Sequence, residues 1–255
     1  MHEIVVTGSS SGIGSAVTTA LHAQGRTVLG VAHHGAEFIA DLGTTEGRVR
    51  GLDETLQRSG GVLDGLVCAA GLGPTEDPAR IVSVNYFGVL ACLDALLPAL
   101  RRGRNPAAVL LSSTGAVQVP DADSHPLARA LADGDEERAR AEATKAGQPM
   151  LAYCLSKYAV TCAMRERAAT WAQAGVRINA VAPGPIETPM LAALQADERV
   201  PEAARMFLPP VGRYGRAEEV ADCVTHLLSP SAAFIHGALL FIDGGIDALT
   251  RPHRF

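Results

Sequence analysis

Within the first fourteen residues, an apolar run at residues 4–7 meets Thr7-Gly8-Ser9-Ser10-Ser11-Gly12-Ile13-Gly14, and a segment of helical period begins at Ile13 without a gap. No other feature constrains the chain as strongly. Glycines let the backbone turn sharply and approach an anion, and the first free N–H groups of the helix meet that anion at the positive end of the helix dipole. Between a first strand and a first helix, this pattern is the cradle of a dinucleotide pyrophosphate. An ordinary glycine-rich turn would leave the three consecutive serines unexplained.

The same alternation runs on. Strand-length apolar runs at 27–31, 37–40, 63–69, 107–112, 177–182 and 238–242 alternate with helical segments at 13–24, 45–58, 79–100, 150–174 and 217–228. Stacked βαβ units of this kind predict an α/β fold, a Rossmann-type doubly wound parallel sheet of seven strands ordered 3-2-1-4-5-6-7 with helices on both faces. With 255 residues, 47% hydrophobic and 19% charged, the whole chain reads as a single domain, residues 1–255, and its 4% aromatic content leaves Ala, Val, Leu and Ile to build the core. Two stretches interrupt the alternation. Residues 115–149 carry a polar run rich in Ala, Asp, Glu and Arg and read as a solvated helical insertion. Residues 183–215 form a connection long enough to be a substrate lid, and its Met190, Leu191, Leu194, Met206, Phe207 and Leu208 either suit an apolar substrate or dock the lid on the body.

A net charge of −5 with no basic block predicts neither a nucleic-acid nor an anionic-membrane partner. The run after Met1-His2-Glu3 is too short for a signal core, and no apolar stretch is read as approaching the ~18 residues of a membrane helix. A soluble, cytoplasmic protein is the expectation. Cys68, Cys92, Cys154, Cys162 and Cys223 include no C-x-x-C pair and meet no histidine cluster, so they read as reduced core thiols, with no metal site.

Tyr153 and Lys157 lie four apart on one helical segment, hence on one face. A free phenol, with a pKa of ~10, is a poor proton shuttle near neutrality, and a neighbouring ammonium would stabilise its phenolate and lower that value. Ser112-Ser113 closes the run 107–112 at the strand end where open parallel sheets bind ligands, and a hydroxyl there can hold a carbonyl oxygen. Asn85 is a polar residue in an apolar helix, suited to bond a local backbone group or to position a proton-relay water. At the end of the second strand, Val31-Ala32-His33-His34 offers neither the acid that binds a ribose 2′-hydroxyl nor a Lys or Arg for a 2′-phosphate, so NAD and NADP both stay open. His33 or His34 could hydrogen-bond either form, or both could be exposed loop histidines with no ligand role, and Asp41-Leu42 could sit beside the adenine.

Over essentially its whole length the sequence resembles the short-chain dehydrogenase/reductase family. The match rests on the loop at 7–14, on Cys68-Ala69-Ala70-Gly71 where the family has N-N-A-G, on Asn85, Ser113, Tyr153 and Lys157, and on Pro183-Gly184 with Thr188. The resemblance implies that Asn85, Ser113, Tyr153 and Lys157 are a catalytic tetrad, that Lys157 also holds the nicotinamide ribose, and that Thr188 contacts the coenzyme. Gly8, Ser10, Ser11, Gly12, Ile13, Gly14, His33, Asp41, Leu42, Ala70, Gly71, Tyr153, Lys157, Pro183, Gly184, Ile186 and Thr188 make up the expected coenzyme site for NAD or NADP. In reduction Ser113 would hold the carbonyl oxygen and Tyr153 would donate the proton.

A closer likeness is to the bacterial 3α-hydroxysteroid dehydrogenase/carbonyl reductase subgroup, carried by Gly71-Leu72-Gly73-Pro74, by Ser83-Val84-Asn85-Tyr86-Phe87-Gly88, by the insertion between Ser113 and Tyr153, and by Ile242-Asp243-Gly244-Gly245-Ile246-Asp247-Ala248. It implies interconversion of a secondary alcohol and a ketone on an apolar small molecule such as a steroid, terpenoid or aromatic carbonyl. It also implies a homodimer, the insertion disturbing the helix interface that other members use for tetramers. Ala32 departs from the Asp of NAD-using relatives. Two other readings stand beside this one: a dehydrogenase of a polar polyol or sugar, and a catalytically silent cofactor-sensing regulator, which could dispense with the Tyr/Lys pair.

Overall fold

The computed structural model describes residues 3–254; Met1, His2 and Phe255 lie outside the described residues. In chain order, β1 (Glu3–Thr7), α1 (Gly12–Ala23), β2 (Thr27–Ala32), β3 (Phe38–Ile39), α2 (Thr45–Arg58) and β4 (Gly65–Cys68) come first. Next are α3 (Pro78–Val82), α4 (Gly88–Leu100), β5 (Ala107–Leu111), α5 (Pro126–Ala132), α6 (Glu136–Ala146), α7 (Pro149–Gln173) and β6 (Arg177–Pro183). Then β7 (Ile186–Glu187), α8 (Pro189–Ala196), α9 (Glu202–Arg205), β8 (Gly215–Arg216), α10 (Ala217–Leu228), β9 (Leu239–Ile242) and α11 (Ile246–Thr250) complete the chain.

Seven strands form one parallel sheet in the order β3-β2-β1-β4-β5-β6-β9, the order expected from the alternation. Its central strands are apolar on both faces because helices cover both. Val5, Leu66 and Leu110 pack beneath α2, α4 and α7, while Val6, Val67 and Val109 pack beneath α1 and α10. The order switches at β1, which pairs with β2 on one side and β4 on the other, so a crevice opens beyond their carboxyl ends, where Thr7 pairs with Val31 and Cys68.

Three expectations need correction. The helix at 79–100 is broken: α3 and α4 are joined by a wide π turn, Ser83–Phe87, that carries Asn85. Apolar residues on every side of this buried segment hide the change of period, and π turns gather at functional sites. The same stretch, Pro78–Leu100, is long and apolar enough to cross a bilayer by length and composition, against the expectation that none is; 67% of its apolar window is buried against the rest of the protein. Finally, the insertion is more than a solvated helix, although most of its polar run does face solvent. It forms α5 and α6, and Leu127, Leu131, Ala139 and Ala143 are fully buried. The guanidinium of Arg48 on α2 grips Glu136 at 2.6 and 2.8 Å while also donating to the carbonyls of Leu42 and Ser83.

Candidate functional site

The glycine turn folds as it does because two positions leave no room for a side chain. Gly8 has φ +69°, and a Cβ there would stand 2.7 Å from the Ala70 amide nitrogen; a Cβ on Gly14 would stand 2.1 Å from the Gly8 carbonyl oxygen. This close packing brings the start of α1 against the β4 end, where Ala70 donates to the Thr7 hydroxyl at 3.1 Å. Ser11 precedes α1 without its hydroxyl capping the helix, so the first N–H groups face the crevice. Across from them, Thr188 caps α8 and its methyl lies 3.4 Å from where a Gly12 Cβ would be.

A groove runs from this turn along the β2 end. Gly8, Ser10, Ser11, Gly12, Ile13, Gly14, His33, Asp41, Leu42, Ala70, Gly71 and Thr188 all line it, as expected from the sequence. His34 does not; its ring rests edge-on against His33, centroids 4.1 Å apart. Sequence reasoning missed Arg80 of α3, which also lines the groove and reaches the Asp41 carboxylate at 3.2 Å. Only the crossing of α3 over the crevice brings that side chain in, and no local motif records it. The groove fits a dinucleotide: a tight glycine cradle, unpaired N–H groups at a helix start, and a rim that extends to the second strand.

A second cavity opens beside the first and shares Ile13, Ala69, Gly71, Thr188 and Met190 with it. Ser113, Tyr153 and Lys157 line it, together with Pro183, Gly184 and Ile186. Pro at the first turn of α7 starts the helix that carries Tyr153 and Lys157 on one face. Ser113 sits at the β5 end, its Oγ accepting from the Gly115 amide at 3.1 Å, and a Cβ on Gly115 would come within 3.6 Å of the Tyr153 ring. Neighbouring Ser112 turns the other way and bonds Thr161 and the Lys157 carbonyl, clamping β5 to α7.

The electrostatics differ from expectation in one respect. Burial pushes the Tyr153 phenol above its ordinary range, and its hydrogen bond with Ser113 pulls in the opposite direction. Lys157 supplies no direct bond to it: the ammonium lies 5.8 Å from the ring centroid and donates to the Leu111 carbonyl at 2.7 Å. Burial holds Lys157 down at about 8, so both groups are drawn toward the neutral form by loss of water. Cys154 packs beside Gly115, and burial raises its thiol to about 11, consistent with a packed neighbour and not a nucleophile. All five cysteines are free.

Asn85, fully buried, accepts from the Leu72 amide at 2.7 Å and donates to the Leu72 carbonyl and to Ser156 at 3.0 and 3.3 Å. Ser156 in turn bonds the Tyr153 carbonyl at 2.7 Å. Asn85 thus joins the Gly71 loop to α7, and its side-chain amide is engaged by protein. Gln118 and Met150, given no site role from the sequence, also line the cavity, as does Pro74 of the Gly71–Pro74 motif. Of the six apolar lid residues, Met190, Leu191 and Leu194 face it, whereas Met206, Phe207 and Leu208 do not and stand 56, 43 and 49% exposed. They follow the short α9, which buries none of its residues.

Comparison with known proteins decides the family. Residues 2–123 match the short chain dehydrogenase model and residues 139–247 match the enoyl-(acyl carrier protein) reductase model. The 3-alpha-hydroxysteroid dehydrogenase/carbonyl reductase of Comamonas testosteroni is 46% identical over the full length of both chains. The chain is a short-chain dehydrogenase/reductase. The cis-4-hydroxycyclohexanecarboxylate dehydrogenase of Sinomonas cyclohexanicum is 33% identical over 96% of each chain. Among solved structures, the 3-alpha-hydroxysteroid dehydrogenase of Pseudomonas sp. B-0831, complexed with NADH, superimposes with a TM-score of 0.97 at 49% identity, covering 99% of this chain and 100% of that one. This short-chain dehydrogenase/reductase is therefore an NAD(P)-dependent oxidoreductase of alcohol and carbonyl groups.

Proposed function

We propose that the enzyme interconverts a secondary alcohol and a ketone on an apolar, ring-built substrate of steroid-like size. The observation that carries this reading is the convergence of Tyr153, Ser113 and Lys157 on one cavity whose floor is continuous with the glycine-turn groove. Much of the remaining wall is apolar, with Met150, Met190, Leu191, Leu194 and Pro185, interrupted by Thr114, Gln118 and Thr188. The names of the Comamonas and Pseudomonas relatives support the same substrate class.

A nicotinamide coenzyme, when bound, supplies or accepts the hydride. Ser113 holds the substrate oxygen by hydrogen bond, and Tyr153 gives that oxygen a proton in reduction or takes one in oxidation. Lys157, fixed by the Leu111 carbonyl beneath the Gly71 loop, keeps a positive charge beside the phenol and the sugar-binding rim of the groove. Asn85 is a positioning residue, holding Leu72 and α7 in register through Ser156.

Tyr153→Phe is expected to lower ketone reduction by ~10²–10⁴-fold while leaving coenzyme affinity intact. Turnover by that variant at the wild-type rate overturns the assignment.

The enzyme acts as a homodimer in the cytoplasm. Supporting the dimer, β9 is an edge strand whose four residues are all only partly covered, and Phe234 in the connection that leads to it is fully exposed. Supporting the compartment, the cysteines are all free.

A further inference from the structure

We infer that Ser83 is a positioning residue for catalysis and that Arg140, supplied by the insertion, holds it in place. This rests on the reading of Asn85 as the residue that keeps Leu72 and α7 in register. The π turn opens on Ser83, whose carbonyl accepts the Gly88 amide in the wide i to i+5 bond. Asn85 stands in the middle of that turn, so its side chain goes where Ser83 puts it. Two guanidinium groups fix Ser83 from outside the turn. Its carbonyl also accepts from Arg48 at 3.0 Å, and its hydroxyl accepts from Arg140 at 2.7 Å. Bonds from charged donors are stronger than neutral ones. Ser83 is fully buried beside Ile81, Val82 and Val84, where an unbonded hydroxyl would cost stability. The partners that its hydroxyl finds, Arg140 and Glu136, both belong to α6.

From the turn the bonds run on to the reacting groups. Asn85 grips both backbone groups of Leu72 and the Ser156 hydroxyl, and Ser156 bonds the Tyr153 carbonyl. The Gly71 loop is wedged between Asn85 and Lys157, since a Cβ on Gly71 would stand 3.3 Å from Asn85 Oδ1 and 3.5 Å from Lys157 Nζ. A shift of the π turn therefore reaches the loop and the helix that carry the chemistry. The insertion braces that turn through Arg140 directly, and through Glu136, which holds Arg48.

Ser83→Ala and Arg140→Met, each made in the full chain alone and in an Asn85→Ala background, test this by steady-state reduction of a 3-ketosteroid with NADH. Rates are expressed per titrated NADH-binding site, so that unfolded protein does not count. Each substitution alone is expected to lower kcat about tenfold and to leave the ketone KM within about twofold of wild type, because misplacement remote from the chemistry costs rate and not ground-state contact. In the Asn85→Ala background the same substitutions should lower kcat by less than about twofold, since residues that act as a unit are not additive. Arg140 is exposed, so Arg140→Met keeps the fold even where Ser83→Ala does not. Wild-type kcat in Arg140→Met overturns the inference, as does an equal loss with and without Asn85, the mark of a structural role alone. An Asn85→Ala enzyme with wild-type kcat overturns the reading of Asn85 itself, and the inference with it.

Discussion

The insertion and the lid both break the strand-helix alternation, and each behaves opposite to its composition. The insertion is polar in sequence, yet α6 turns Ala139 and Ala143, one helical turn apart, fully into the core and offers Glu136 to Arg48. Asp135 caps it by accepting from the Arg138 amide, and Gly147, at φ +62°, ends it. The lid is apolar in sequence, yet α8 buries only Leu191 and α9 buries nothing. What fastens a segment is the spacing of its small and apolar residues, not their number. The contrast suits the chemistry: a wall that must open for a substrate is drawn from the weakly packed part of a fold, and a wall that braces the coenzyme groove is not.

Arg48→Ala is the strongest way to break this comparison. It strips one partner from a mostly buried bidentate pair and leaves the Leu42 and Ser83 carbonyls without their donor. The expected loss is about 3 kcal/mol in urea unfolding. A loss under about 1 kcal/mol would make the insertion a solvated appendage after all.

A smaller effect comes from acid. Burial acts to raise the Glu136 carboxyl, but hydrogen bonds from Arg48 and Ser83, with the charges of Arg48 and Arg140, outweigh it and hold the group below its ordinary value. The folded state thus binds fewer protons than the unfolded chain between the two values. The stabilisation is complete above the ordinary glutamate range and disappears as pH falls through the depressed folded value. The stability gap between wild type and Glu136→Gln should therefore close on acidification. A gap that does not change with pH would remove Glu136 from the account.

What the sequence made legible follows the same line. The glycine turn and the Tyr153/Lys157 pair are set by short-range geometry, one by backbone contacts at Gly8 and Gly14, the other by a spacing of one helical turn. Sheet order follows from alternation because connections in parallel sheets keep one hand. Rotamer and tertiary placement were not legible. Spacing puts Lys157 beside Tyr153, but only the fold decides that its ammonium bonds Leu111. Arg80 enters the groove because α3 crosses it, Gln118 reaches the cavity from the start of the insertion, and Met150 reaches it from just beyond the insertion's end. The π turn at Asn85 escapes notice because a helix that is apolar on every face has no stripe to interrupt. Met206, Phe207 and Leu208 show the converse, since an apolar residue in a connection carries no direction in its identity.

The smallest effects separate the two ends of the lid. Met190 lines both cavities and its side chain fills the space over Gly73, where a Cβ would stand 2.7 Å from Met190 Cγ. Met190→Ala should raise KM for an apolar ketone about tenfold, the loss of ~1.4 kcal/mol of apolar contact, with kcat little changed because the contact is made equally in ground and transition states. Phe207 is 43% exposed and outside the cavity. Phe207→Ser should leave KM unaltered and stability within about 0.5 kcal/mol of wild type. Ketone kinetics and urea unfolding on both variants check the pair. If Phe207→Ser raises KM as Met190→Ala does, the exposed end of the lid folds over the substrate in the working enzyme, and the division of the lid into a lining half and an outward half fails.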